Sequence, residues 1–442
     1  MIAGRTRDTT SIFFVHIFWG QDAFNRASCF FRNFKRFVDM MKAVLLFILS
    51  LFLEITLQAA IKLPQLISDG MVLQRNTTVV IWGWADPGET VTIDFNLQKR
   101  NTVTAANGRW EIPLSPMKEG GPLSMELTGS NKITIKNILI GDVWICSGQS
   151  NMAQTMERVK DRFSEVIATT NNSNLRYFFI PTTFNFQSAQ SDLPPGNWRP
   201  ATPEYILQFS AIGFFFAKTL YDRYHAPIGL INASVGGSPA EAWLSEKALR
   251  KFPEHLAVAN KFRMTAYVDS IRKSDNAKRD AWYKNVNDLD SGRLQNPNWH
   301  ATTISDSDWK EMNIPGYWDE QGLKINGVMW FRKKISVSES MAGKEARLFL
   351  GNILDQDSVF INGKFAGTTG YQYPPRKYNV PAGVLKAGDN LISIRVINSS
   401  GRGGFYKDKP YLLKIGDDII SLQGPWKYKV GMVSPPIPSA TT

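Results

Sequence analysis

Apolar and polar positions alternate in short bursts through residues 62–136, with turn residues between them. Thr77 to Trp82, Val91 to Phe95, Arg109 to Leu114 and Ser124 to Leu127 read as strands, separated by Asp86-Pro87-Gly88 and Ala106-Asn107-Gly108. Short strands at regular spacing with such turns predict a small β-sandwich over residues 60–137. The pattern then changes. Ile138-Leu139-Ile140 and Val143-Trp144-Ile145-Cys146 form a run with little polar alternation, which predicts a buried strand. From here to Trp243 strand and helix patterns take turns. A polar helix over Met156 to Thr169 precedes a strand, Leu175 to Ile180. A helix over Ser210 to Tyr224 then precedes a strand running from Pro227 into Gly236-Gly237. Such alternation predicts an α/β sheet. Leu244 to Asp288 is helical and charged, and is expected to act as a connector closing a domain of residues 138–290. Strand patterns return after Asn298. They include Met329 to Val337, Ala346 to Leu350, and the pair Ser358 to Ile361 and Lys364 to Gly367 around Asn362-Gly363, a strong hairpin signal. This predicts a β module over 291–430, and the Pro/Ser/Thr-rich residues 431–442 read as a linker.

The chemistry concentrates where the apolar strand ends. Ser147-Gly148-Gln149-Ser150-Asn151-Met152 places a serine at the tip of a strand and at the mouth of a helix. Reactive groups of α/β folds sit there, and the helix start supplies N–H groups for a developing oxyanion. A bare Gly-x-Ser also fits an ordinary turn with Ser150 as helix cap.

The five residues Gly148-Gln149-Ser150-Asn151-Met152, preceded by Gly141-Asp142-Val143-Trp144, resemble the nucleophile block of the SGNH (GDSL-like) hydrolases. The resemblance is to the branch containing the sialate O-acetylesterases. Gly236-Gly237-Ser238 followed by Glu241-Ala242-Trp243 is similar to that family's second block, and Met71 to Arg75 with Trp82-Gly83-Trp84-Ala85 to its leading β domain. The resemblance implies Ser150 as nucleophile. It also implies oxyanion donors from Ser150 and from one of Gly236 and Gly237, with no metal and no cofactor. Gln149 and Asn151 order the elbow or contact substrate in this picture, and Glu241 lies behind the site. Trp330-Phe331-Arg332, Asp355-Gln356-Asp357, Asn362-Gly363-Lys364 and Gly388-Asp389-Asn390 resemble the galactose-binding-like jelly roll of glycoside hydrolase family 2. It would be an inserted module that binds sugar or shapes the cleft wall. The implied fold is α/β: a partial SGNH-type α/β/α sheet domain, preceded by a β-sandwich and carrying an inserted jelly roll. The implied substrate is an acetylated carbohydrate such as a sialic acid.

One part of the family's machinery does not surface. A serine hydrolase needs a base, and the family takes it from a late Asp-x-x-His, which this sequence lacks. The four histidines are His16, His225, His255 and His300. Asp222-Arg223-Tyr224-His225 has the right spacing but precedes the glycine block, where a histidine capping a helix end is the ordinary alternative. The expectation is therefore a C-terminally truncated esterase, inactive as it stands, with the remaining blocks beyond Thr442. The alternative is a non-catalytic exported protein that binds carbohydrate or is vestigial.

Charge and targeting change this picture little. The formal net charge of +12 is spread along the chain without long like-charge runs, which argues against a nucleic-acid partner. Met41-Lys42, the apolar run Ala43 to Leu53 and Gln58-Ala59-Ala60 form a signal-peptide pattern over 41–59, too short for a stable membrane span. The chain is expected to be secreted or periplasmic, and residues 1–40 an extension from an upstream start. Of the two cysteines, Cys146 is expected to pack as a small hydrophobe.

Overall fold

The computed structural model describes Met40, Met41 and residues 60–441. The expected signal peptide and upstream extension lie outside these residues, apart from Met40 and Met41. The architecture is mixed α/β, and the chain divides into two compact units, one ending at Val143 and the other beginning at Trp144.

The first unit is built from strands, two of which, Thr90–Phe95 and Arg109–Leu114, bury every second residue. Strands β1 (Val72–Gln74), β2 (Val79–Trp84), β3 (Thr90–Phe95), β4 (Gln98–Val103), β5 (Arg109–Leu114), β6 (Gly120–Thr128) and the long β7 (Lys132–Gly148) follow in order. In β5, Trp110, Ile112 and Leu114 are buried while Arg109, Glu111 and Pro113 are exposed, the period-2 signature of a one-sided strand. β2 pairs with β5, and β3 lies between β4 and β6. β6 continues to β7, which β1 joins in parallel through Val72 opposite Leu139. Residue 137, where the sequence pattern placed a boundary, lies within β7.

In the second unit β8 (Asn172–Phe179) lies between β9 (Trp198–Ala201), antiparallel to it, and β10 (Ile228–Ser234), parallel to it. The parallel register, Ile228 opposite Leu175 through Asn232 opposite Phe179, brings the carboxyl ends of β8 and β10 to one edge. The helix Ala211–Tyr224 packs Phe214 and Ala217 with Cys146, Leu175, Tyr177, Ile228 and Leu230 in one core. Cys146 is buried as a free thiol, and burial raises its pKa. The single polar helix expected over Met156 to Thr169 is instead two short ones, Met156–Val159 and Ser164–Thr169. Lys160 to Phe163 between them include a turn closed by the Arg162 N–H on the Val159 carbonyl.

The β module pairs Asn326–Val337 with Gly388–Asn398 and with Gly424–Ser434 in a six-stranded sheet, beside a four-stranded sheet centred on Ala346–Leu350 and Tyr411–Ile415. Asn362 and Gly363 both take positive φ (50° and 77°), as a two-residue hairpin requires. Two expectations need correcting here. The last strand runs to Ser434, and Trp282 Nε1 donates to the Pro435 carbonyl while Thr441 bonds Asp275, so residues 431–441 are tied to the fold rather than free linker. The helix Thr265–Asp288 is no mere connector either. Its Trp282 and Val286 share a core with Trp299, Trp309, Val328, Trp330 and Ile397 of the β module.

Candidate active site

The end of β7 is less buried than its apolar composition predicts. Trp144 and Ile145 are exposed, Trp144 meeting Phe216 edge-on at 5.0 Å, whereas Cys146 points into the core. Gly148 then takes φ +128°, which a side chain strongly disfavours, and the chain turns into a one-turn helix, Ser150–Ala153. Four residues make little macrodipole. What the turn does offer is its first N–H groups, which lack intrahelical acceptors. Ser150 and Gln149 are exposed.

The glycine block meets this turn directly. The Val235 N–H donates to the Gly148 carbonyl (2.9 Å), holding the segment after β10 against the tip of β7. A Cβ placed on Gly236 would lie 3.6 Å from both Cα and Cβ of Ser150, so the backbone of Gly236 runs alongside the serine. A Cβ placed on Gly237 would meet nothing within 4 Å, and its φ of +79° suits it to turning the chain rather than to flanking the serine. Gln149 Nε2 donates to the Ser238 carbonyl. Ser238 Oγ donates to Val235 O (2.7 Å) and accepts from Trp243 Nε1 (2.9 Å). Gln149 therefore ties the two blocks together. Asn151 instead lines a separate groove with Phe163, Phe215 and Phe216, and Glu241 sits 3.9 Å from His255 Nδ1, both partly exposed.

Two contributors were missed from sequence, Asn232 and Ser234. Asn232 is buried, accepts from the Ser234 N–H (3.1 Å) and Oγ (2.6 Å), and donates to the Met152 carbonyl (3.4 Å). It links the strand entering the glycine block to the turn that carries Ser150. An isolated Asn in an apolar strand is the signal that could have revealed it, since a buried amide must find partners.

The histidines sort by position. His225 caps the helix before β10 with φ 52°, at the strand's amino end. The seven residues of β10 separate it from Gly236 by roughly 20 Å at about 3.3 Å per residue. His300 is stacked on Phe360 at 4.2 Å within the β module, where burial lowers its pKa. Among the described residues no histidine is hydrogen-bonded to Ser150.

Residues 140–287 match the model of the family "Carbohydrate esterase, sialic acid-specific acetylesterase". Over this segment the chain is similar to that family. A sialate O-acetylesterase of Pongo abelii is 35% identical over 205 residues, which is 42% of this chain and 39% of that protein. The chain thus spans about two-fifths of the length of such curated relatives. A β-galactosidase of Bacteroides ovatus is 28% identical over 109 residues, covering 22% of this chain and 13% of that one. A solved carbohydrate acetylesterase from Xanthomonas citri shares 34% identity over 43% of this chain and 44% of its own, with a TM-score of 0.42. Within the matched segment lie Gln149, Ser150, Asn151, Gly236, Gly237 and Glu241, the site residues singled out from its two blocks.

Proposed function

We propose that the chain carries the nucleophile half of an exported carbohydrate O-acetylesterase of SGNH type. Ser150 Oγ, giving its proton to a base, would attack the acetyl carbonyl carbon, and the ester C–O bond would break as that base returns the proton to the departing sugar oxygen. Water would then release acetate from the acetyl-serine. The N–H groups of Ser150 and Gly236 would hold the oxyanion. The observation that carries this reading is the close approach of Gly236 to Ser150. It favours Gly236 over Gly237 as the second donor. Gln149 would act as a tie between the two blocks, Asn151 away from the reacting groups.

A second reading, a non-catalytic carbohydrate-binding protein on this scaffold, is favoured by the absence of a histidine bonded to Ser150 among the described residues. Without a base the serine proton has no acceptor. The 442-residue chain is accordingly expected to release nitrophenol from an aryl acetate no faster than its Ser150→Ala variant. Steady-state and pre-steady-state absorbance measurements check this. A burst present in the native chain and lost in Ser150→Ala would discard the non-catalytic reading.

A further inference from the structure

A cavity of about 890 Å³ opens at the carboxyl ends of β8 and β10, with Ser234, Val235 and Gly236 on one wall and Tyr177 and Phe179 on another. This is the edge where open α/β sheets receive ligands, and the size suits a small carbohydrate. Most of its lining is apolar or neutral. Two charged residues reach it, Glu157 and Arg199.

The two differ in how their charge is met. The Glu157 carboxylate is paired with Lys160. Arg199 stands on β9 opposite Tyr177, half-buried. Its Nε donates to Asn197 Oδ1 (3.1 Å), its Nη1 to Gln208 Oε1, and its guanidinium lies 5.4 Å from the Tyr205 ring centre. These partners are neutral, and the neighbouring Glu204 is engaged with the Tyr205 hydroxyl. Two amide oxygens and a ring fix the plane of the guanidinium without neutralising it. Five N–H donors leave capacity for a planar anion, and a fork held in place loses little entropy when a carboxylate binds it.

We propose that Arg199 is the specificity residue of this cavity, binding the carboxylate of an acidic sugar whose acetyl ester lies at Ser150. Neutral acetylated sugars would leave the guanidinium without its anion and bind more weakly. The inference rests on the esterase reading above only for where the acetyl group lies, not for the anion site itself.

The test uses the full chain and two probes, N-acetylneuraminic acid and its methyl ester, which differ by the negative charge and one methyl group. Calorimetric titration or ligand-observed NMR is expected to show the acid binding at least about tenfold tighter, within the range of a charge-assisted bidentate pair. Arg199→Gln should erase that preference, and Arg199→Lys should restore only part of it, since an ammonium supplies charge without the fork. Unchanged circular dichroism and unfolding midpoint for both variants show that the fold survives. Equal binding of acid and ester by the native chain, binding of neither, or a preference that persists in Arg199→Gln would each overturn the proposal. Ser150→Trp separates the two levels, with an O-acetylated sialic acid as probe. Loss of its binding supports both assignments. Retained binding in Ser150→Trp, together with loss in Arg199→Gln, would keep the anion site and discard the placement of the acetyl group.

Discussion

Asp290→Ala is expected to destabilise the second unit by about 3–5 kcal/mol, the range for removing one partner of a buried ion pair. Asp290 is fully buried at the junction of the helical segment and the β module. It accepts from Arg395 Nε at 2.7 Å, Trp330 Nε1 at 2.9 Å and the Gly292 N–H at 3.0 Å. Burial lowers the pKa of Arg395, and Asp290 works against that fall. Truncation therefore strands a buried cation and an indole donor together, and neither can reach water without opening the packing around Trp299 and Trp330. Asp290→Asn keeps an acceptor oxygen but removes the charge, and should fall between the two. Urea unfolding followed by tryptophan fluorescence measures this. A midpoint shift worth under about 1 kcal/mol for Asp290→Ala would show that the pair is not what joins the helix to the sheets.

Local periodicity was enough to find most strands, since β5 and the Asn362-Gly363 hairpin obey rules that act over a few residues. The turn at Asn96-Leu97 escaped notice because both residues take positive φ (48° and 63°) without a glycine to signal it. Contacts between distant segments were harder to see. Asp290 and Arg395 stand 105 positions apart, and no pattern around either residue foretells their pairing. The same holds for residues 431–441, whose composition is that of a linker. They are ordered by particular partners, Trp282, Ser399 and Asp275, that composition does not encode. At the candidate site the block Gly148 to Met152 was legible because five specific residues stand together. The choice between Gly236 and Gly237 was not, because it depends on which backbone passes the serine.

Asn232→Leu is expected to cost about 2–3 kcal/mol and to loosen the turn carrying Ser150, although Asn232 lies some eighty positions from it in sequence. The replacement keeps the branching and heavy-atom count of Asn and leaves no cavity, so the lost polar contacts dominate the cost. The Ser234 N–H and hydroxyl lose their shared acceptor in a buried position, and the Met152 carbonyl loses a donor. A double-mutant cycle with Ser234→Ala isolates the link. Because Asn232 Oδ1 accepts from both the hydroxyl and the N–H of Ser234, the two losses should fall short of additivity by at least about 0.5 kcal/mol. Hydrogen exchange adds a spatial readout: amides in residues 149–153 should exchange faster in Asn232→Leu, while those of β5 keep their native rates. Additive energies together with unchanged exchange at 149–153 would show that Asn232 only fills space, and that Gly148 and the Val235–Gly148 hydrogen bond hold Ser150 in place by themselves.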